Sequence, residues 1–443
     1  MLKTFRKGGV HPRENKLSAG RPIEVMPLPE TVTIPLSQHI GAPALPQVAK
    51  GDKVRAGQLI GALSGFVSSN VHSSVSGTVV SVEALPDAGG IKRPAVVIKV
   101  EGDEWEEGIV TAPGLVPDAG YTAEQIREKI AAAGIVGMGG ATFPTQVKLN
   151  LPTGKTADYL IINGVECEPY LTSDHRVMLE RGEEMIAGVR LLTKSIGAAK
   201  SCIGIENNKP DAIAHLSKLA QQFPDVDIVP LKVKYPQGGE KQLIAAVTGR
   251  EVPSGKLPID VGVVVQNVGT ALAVYEAVMK NKPLVERVVT VTGKGLSKPS
   301  NLMVRVGTPI ASLIEYCGGL PEATGKVIGG GPMMGRAMSN LDAPVTKGSS
   351  GVLLMGAKDA GRRKPETCIK CAKCVEVCPM GLEPYMLYKL GSRLMYTEME
   401  AFAATDCIEC GSCSFTCPAS LPLLDYIRIG KTEVMKIIRA RKQ

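Results

Sequence analysis

Eight of the chain's eleven cysteines fall into two runs near its C-terminal end. The first is Cys368-Ile-Lys-Cys371-Ala-Lys-Cys374-Val-Glu-Val-Cys378-Pro379, and the second is Cys407-Ile-Glu-Cys410-Gly-Ser-Cys413-Ser-Phe-Thr-Cys417-Pro418. Both follow C-x2-C-x2-C-x3-C-P, the spacing of a [4Fe–4S] ligand loop. Three thiolates at two-residue intervals wrap one loop around three corners of a cubane, so the fourth ligand has to come from further away. Zinc would use two separated CxxC pairs and has no need of a third cysteine or of a trailing Cys-Pro. Disulfides require an export route, and Met1–Val10 has charge but no apolar core, so no signal peptide is read there.

In two-cluster ferredoxins the fourth ligand crosses over from the opposite motif. One cluster is therefore assigned to Cys368, Cys371, Cys374 and Cys417, and the other to Cys407, Cys410, Cys413 and Cys378. Each proline stops the local helix just after the crossing ligand.

At 443 residues the chain exceeds a single core, and three or four domains are expected. With 49 Gly and 31 Pro, many turns and β structure are expected rather than a helical bundle. The longest apolar stretch, Val261 to Val274, is broken by Gln266, Asn267 and Thr270 and cannot span a membrane. A cytoplasmic chain is expected, with membrane association through partners. The net charge of +8 is dispersed without aromatic interleaving, which argues against a nucleic-acid surface; acidic ferredoxins or a membrane-bound partner explain it equally well, their encounter sped by charge. Cys202 and Cys317 lie among apolar residues and read as buried thiols.

Up to about residue 115 the chain reads as short strands. Val48–Gly61 and Val71–Val82 resemble the two halves of a biotinyl/lipoyl-type barrel-sandwich domain. The hairpin between them, Ser64–Asn70, holds no lysine, so no prosthetic arm can be attached and the domain is structural or a docking surface. From Tyr121 helices and strands alternate. Thr122–Ala133 has a capping threonine, an acid in the first turn and helical apolar spacing. The glycine-rich stretch Gly134–Lys148 follows. Glycines of this kind either cradle a phosphate with backbone N–H groups or merely punctuate, and the stretch does not follow the dinucleotide fingerprint. Three more segments favour a ligand loop: Tyr159–Tyr170, a buried strand ending in a polar cluster; Lys232–Leu243, a glycine turn with an acid followed by a helix; and Val263–Thr270, a second apolar strand ending in polar groups. Strand ends facing a glycine loop are where open α/β sheets bind nucleotides, and short polar side chains suit a flavin.

Here the sequence is similar to the flavin-binding 51 kDa subunit of respiratory complex I, which carries G-x-G-G-A-x-F-P-T and then a lysine. With the hybrid domain before it and the two cysteine motifs after it, the whole chain resembles the RnfC family of the Rnf ion-translocating ferredoxin:NAD oxidoreductases. The resemblance implies that Gly137, Gly139, Gly140 and Lys148 form an FMN-phosphate loop with Phe143 near the nicotinamide. It places Asn163 and Glu166 at the isoalloxazine and Glu168 toward NADH, and it adds Tyr235, Gly238, Glu240, Asn267 and Thr270. Met138 stands where the 51 kDa pattern has an arginine, and Val165 where it has an aspartate. Cys167 reads as a packing residue.

Glu286 to Leu341 resembles the soluble-ligand-binding β-grasp (SLBB) domain of the same family. Gly329–Gly335 lacks the Lys-Ser/Thr of a phosphate loop and reads as a tight turn. Glu383 to Ala404 is helical in character, implying an α-helical ferredoxin, and a basic amphipathic tail, Lys431 to Lys442, is read as solvated or partner-facing. The expected class is thus multidomain α/β and β, divided as 1–118 hybrid, 119–285 Rossmann-like FMN/NADH domain, 286–355 SLBB and 356–443 two-cluster ferredoxin. Implied cofactors are two [4Fe–4S] clusters and non-covalent FMN, with NAD(H) as substrate and no acid–base residue. Implied partners are the membrane and iron–sulfur subunits of the Rnf complex, with ferredoxin reached through them, on the cytoplasmic face of the cell membrane. The alternatives are a docking protein with an empty flavin fold, like NqrA, or the flavin subunit of a soluble NADH dehydrogenase or hydrogenase.

Overall fold

A computed structural model describes residues 2–441. The hybrid domain is two small antiparallel sheets. One orders Thr31–Pro35, Lys92–Gly102, Ser76–Pro86 and Lys53–Val54; the other orders Leu45–Pro46, Leu59–Ala62 and Val71–His72. Alternate residues point inward, so Val32, Ile34, Ile60, Val71, Val79 and Ile98 fill the space between the sheets. At the lysine-free hairpin, Asn70 Nδ2 donates to the Ala132 carbonyl at 3.1 Å, capping the end of the helix Ala123–Ala132. The turn of a carrier domain thus serves as a dock.

That helix begins as expected: the Thr122 hydroxyl accepts from Gln125 N and the Gln125 side chain accepts from Thr122 N, a reciprocal capping box. The α/β domain has a four-stranded parallel sheet ordered Val226–Leu231, Lys200–Glu206, Tyr159–Asn163, Val263–Asn267. The chain builds outward from Tyr159–Asn163 and then crosses to its other side, so the order reverses between Tyr159–Asn163 and Val263–Asn267. These two strands run in register, with Asn267 opposite Asn163 at their C-terminal ends. This is the crevice where doubly wound sheets bind ligands. Behind it the helices Gly182–Ile196 and Val268–Lys280 lie so close that a Cβ on Gly188 would sit 1.8 Å from the Ala271 carbonyl oxygen.

The β-grasp sheet centres on Glu286–Thr292, antiparallel to Ser300–Arg305 and parallel to Gly351–Gly356. Gly329–Gly335 is a turn, with Gly335 N donating to Gly331 O at 3.0 Å. The segment before residue 26 leaves the hybrid domain altogether: Ile23–Val25 adds an edge strand to the β-grasp sheet, while Lys3 bridges to Leu231 and Val10 to Tyr235.

The cysteine domain is helical: Lys373–Glu376, Pro384–Gly391, Tyr396–Ala401, Ser412–Thr416 and Leu423–Ala440. The last helix is not a solvated tail, since Leu423, Ile427 and Val434 are buried against Leu387, Leu390 and Met399; Lys442 lies outside the described residues. Among the described residues no helix is long and apolar enough to cross a membrane.

Candidate functional site

The glycine loop is pinned at its base, where Gly137 N donates to Phe143 O at 2.8 Å and Thr145 N to Ile135 O at 3.0 Å. Its apex is open. Gly140 has φ +112°, and a Cβ there would meet nothing within 4 Å. A Cβ on Gly139 would meet only Asn267 Cβ, at 3.6 Å. Met138 N donates to Thr270 Oγ1 at 2.9 Å, tying the loop to the first turn of the helix Val268–Lys280. Asn267 caps that helix, accepting from Gly269 N at 2.8 Å, and its amide donates to Asp174 Oδ2 at 2.7 Å.

Across the cleft, Lys148 Nζ donates to Glu240 Oε1 at 2.7 Å and to Val265 O at 3.2 Å, while Asn163 Nδ2 donates to Gly238 O at 2.9 Å. Gly137, Gly139, Gly140, Lys148, Asn163, Gly238, Glu240, Asn267 and Thr270 therefore share one crevice, and Phe143 stands half-buried at the loop's base. An uncapped cradle, a helix N-terminus and a lysine are what a flavin's phosphate needs, so the donor set fits FMN.

The remaining predicted residues are engaged elsewhere. Glu166, at φ +45°, caps the helix Ser173–Glu180 by accepting from Asp174 N at 2.8 Å and His175 N at 3.2 Å. Glu168 lies beneath the 329–335 turn, accepting from Met334 N at 2.8 Å and Met333 N at 3.1 Å; burial raises its pKa. The Tyr235 hydroxyl lies 3.2 Å from Glu168 Oε1 and donates to Cys410 O at 2.8 Å, on the cysteine domain. Cys167 is a packing thiol whose pKa burial raises, and Gly238 N points at its sulfur at 3.4 Å.

Sequence reading passed over two contributors. Asp174 is pushed up to about 7, first by burial and then by the neighbouring Glu166. Lys16 Nζ donates to the carbonyls of Glu166, Glu168 and Leu171 at 2.8, 2.9 and 2.7 Å, shaping the whole polar turn. The helix-start pattern Thr-Ser-Asp at 172–174 was a usable local signal for Asp174; Lys16 had none.

The two cysteine loops share one backbone shape. Lys370 and Ala372 in the first, and Glu409 and Gly411 in the second, all have positive φ (56°, 61°, 58° and 79°). Non-glycine residues adopt this region rarely, and its repetition at matching positions turns successive thiols toward a common centre. One cavity is lined by Cys407, Cys410 and Cys413 together with Cys378 of the other motif, closed by Pro379, Ile408, Leu424 and Ile427. Leu382 N and Glu409 N point at the sulfurs of Cys378 and Cys407, each at 3.4 Å. For the other set, Cys374 is raised mainly by burial, with Cys417 and Cys368 close enough to add their charge. Cys378 and Cys417 thus each stand with the opposite motif's thiols. Among the described residues no three Cys, His, Asp or Glu close on a single ion; a cubane holds its thiolates further apart because four irons stand between them. Cys378, Cys410 and Cys413 are buried, whereas Cys368 and Cys371 are exposed.

Family models match in the same order as the domains: the RnfC barrel sandwich hybrid domain over residues 3–103, the Nuo51 FMN-binding domain over 130–276, the SLBB domain over 288–337 and a 4Fe-4S dicluster domain over 360–418. The chain is 50% identical over 436 residues, 98% of its own length and 94% of the relative's, to the RnfC component of the proton-translocating ferredoxin:NAD(+) oxidoreductase complex of Clostridium ljungdahlii. It is 47% identical over 430 residues, 97% of both chains, to the counterpart in the Na(+)-translocating complex of Acetobacterium woodii. Among solved structures, an NAD+-reducing [NiFe]-hydrogenase in the H2-reduced state shares the fold at TM-score 0.50 and 18% identity, over 70% of this chain and 61% of that one. An FMN-type crevice at a sheet's switch point, joined to a dicluster cysteine domain and matched along nearly its full length, makes this chain a member of the RnfC family of Rnf-type ion-translocating ferredoxin:NAD oxidoreductases.

Proposed function

We propose that this chain exchanges hydride with NAD(H) at FMN held in the crevice and passes single electrons through two [4Fe–4S] clusters. The observation that carries the reading is the direct join between the flavin-domain turn and a cluster ligand loop, Tyr235 to Cys410. Bound flavin supplies the two-electron to one-electron conversion that links nicotinamide to iron–sulfur chemistry. Gly137, Gly139, Gly140, Lys148 and Thr270 bind its phosphate end, while Asn163, Gly238, Glu240 and Asn267 line the ring and ribityl side. The set with three buried thiols, Cys378, Cys407, Cys410 and Cys413, is the inner station, and the set with two exposed ones, Cys368, Cys371, Cys374 and Cys417, is the outer one. The domain division 1–118, 119–285, 286–355 and 356–443 serves this relay, with residues 2–25 as a strap across it. The relatives' names speak of a ferredoxin:NAD(+) oxidoreductase complex; in our reading this chain sits in such a complex at the cytoplasmic face of the membrane, held by other subunits that bring in ferredoxin's electrons.

The test is reconstitution of the purified chain with iron, sulfide and FMN, followed by NADH–ferricyanide assay. Turnover that depends on FMN is expected. A chain that binds both clusters but neither FMN nor NADH would instead be a docking protein, the second reading, which Met138, Val165 and the covered Glu168 favour.

A further inference from the structure

Arg287 enters the seam between the β-grasp and flavin domains on the strand Glu286–Thr292. It is only 5% exposed, and its Nη1 donates to the Lys347 carbonyl. That carbonyl takes one of five guanidinium N–H groups. Lys347 is itself fixed, its Nζ donating to Asn70 O at 2.7 Å and Gly134 O at 2.8 Å. Arg287, Met138, Ser173, Asp174 and Gly269 line one cavity directly behind the glycine loop.

On the opposite wall Asp174 accepts from Asn267, which caps the helix whose Thr270 holds Met138 N. A short run of contacts thus leads from Asp174 to the loop apex. Asp174 lies beside Glu166, and burial together with that neighbour disfavours its ionised form, which the cations Arg287 and Lys209 favour. Arg287 favours the ionised form of Asp174, and Asp174 in turn offsets the burial that lowers Arg287 to about 10. The apex of the loop contributes no charge of its own: Met138 closes against Gly269, its Cε 3.2 Å from where a Cβ there would sit. A guanidinium arrives behind it from a different domain.

We propose that Arg287 is a second cation of the flavin site beside Lys148: a positioning residue that balances Asp174, and so holds Asn267 and the helix N-terminus in the form that accepts the flavin's phosphate. This rests on the flavin reading above. The β-grasp domain is then part of the cofactor site.

The experiment titrates FMN by fluorescence quenching into the full-length, cluster-reconstituted chain and measures the flavin midpoint potential. Arg287→Met is expected to weaken FMN binding about tenfold, as loss of a counter-charge to a buried acid does, and to make the midpoint more negative. Arg287→Lys should retain most of the affinity, and Met138→Arg placed in the Arg287→Met background should restore it. Unchanged affinity and potential in Arg287→Met overturns the proposal; so does a loss that neither rescue recovers, since that is packing alone. If Arg287→Met does not fold, Arg287→Lys combined with Asp174→Asn decides: coupled effects support the proposal and additive ones overturn it. A wild-type chain that binds no FMN removes the flavin reading and this inference with it, an outcome distinct from wild-type binding that Arg287→Met leaves intact.

Discussion

The Tyr235 hydroxyl donates to the carbonyl of Cys410 at 2.8 Å, so a flavin-domain turn and a cluster ligand loop are joined by one buried hydrogen bond. Tyr235 is 3% exposed, so the bond is shielded from solvent.

Tyr235→Phe should cost about 1–3 kcal/mol, the penalty of a buried acceptor left unmade. The loss is expected at the domain junction. Heating should bleach the iron–sulfur absorbance of the variant at lower temperature, while fluorescence of Trp105, the chain's single tryptophan, in the hybrid domain, shifts less. Coincident shifts of both signals would refute a local role.

Crossed ligation makes each motif answer for the other's cluster. Cys378→Ser should remove the buried cluster although residue 378 belongs to the first motif, taking iron content from roughly eight to roughly four per chain. Cys417→Ser should remove the exposed cluster instead. Iron analysis with electron paramagnetic resonance of the remaining signal distinguishes the two. If Cys378→Ser perturbed the cluster of Cys368, Cys371 and Cys374, the pairing would be wrong.

Lys148 reaches Glu240 across the crevice with a side chain about a third exposed, 31%. Lys148→Ala should weaken FMN about ten- to a hundredfold through loss of a charge-assisted contact. Glu240→Gln should weaken it less, because it leaves the lysine free for the phosphate. Equal affinities for Lys148→Ala and wild type, measured by fluorescence titration, would remove Lys148 from the phosphate site.

Burial lowers Lys347 from 10.5 to about 7. Below about pH 7 folded and unfolded chains both hold its proton, so the burial cost is fully present. Between 7 and 10.5 the unfolded chain binds more protons, and stability from this site rises with pH by about 1.4 kcal/mol per unit. The stability difference between wild type and Lys347→Met should therefore move in favour of wild type as pH goes from about 7 to about 9. Denaturant midpoints across that range check it; a flat difference contradicts the neutral, buried amine.

The cluster ligands were legible in the sequence because ligand spacing is local: Cys368 to Cys378 contains its own loop geometry, down to the left-handed Lys370 and Ala372. The crevice was legible for a related reason, since Asn163 and Asn267 end apolar strands and the glycines between residues 137 and 140 need no distant partner to be recognised. Glu166 and Glu168 read as cofactor contacts because the segment from Asn163 to Pro169 resembles the N-x-x-E-x-E-P of the 51 kDa subunits. Their actual partners, the helix start at Ser173 and the turn at Met333, depend on how the chain folds back on itself. Lys16 and Arg287 were invisible for the same reason: Lys16 holds a carbonyl 150 positions on, Arg287 one 60 positions on, and neither sits in a local pattern that distinguishes it from any surface cation.

The strap formed by residues 3–10 has a consequence for how the inner metal centre is held. Gly9 N donates to Val377 O at 2.9 Å, and a Cβ on Gly8 would fall 2.6 Å from the Cys378 carbonyl, so the strap lies directly on the backbone that carries a crossing thiol. Any side chain at Gly8 has to push that backbone aside, so the strap and the cavity lined by Cys378 cannot be remodelled independently.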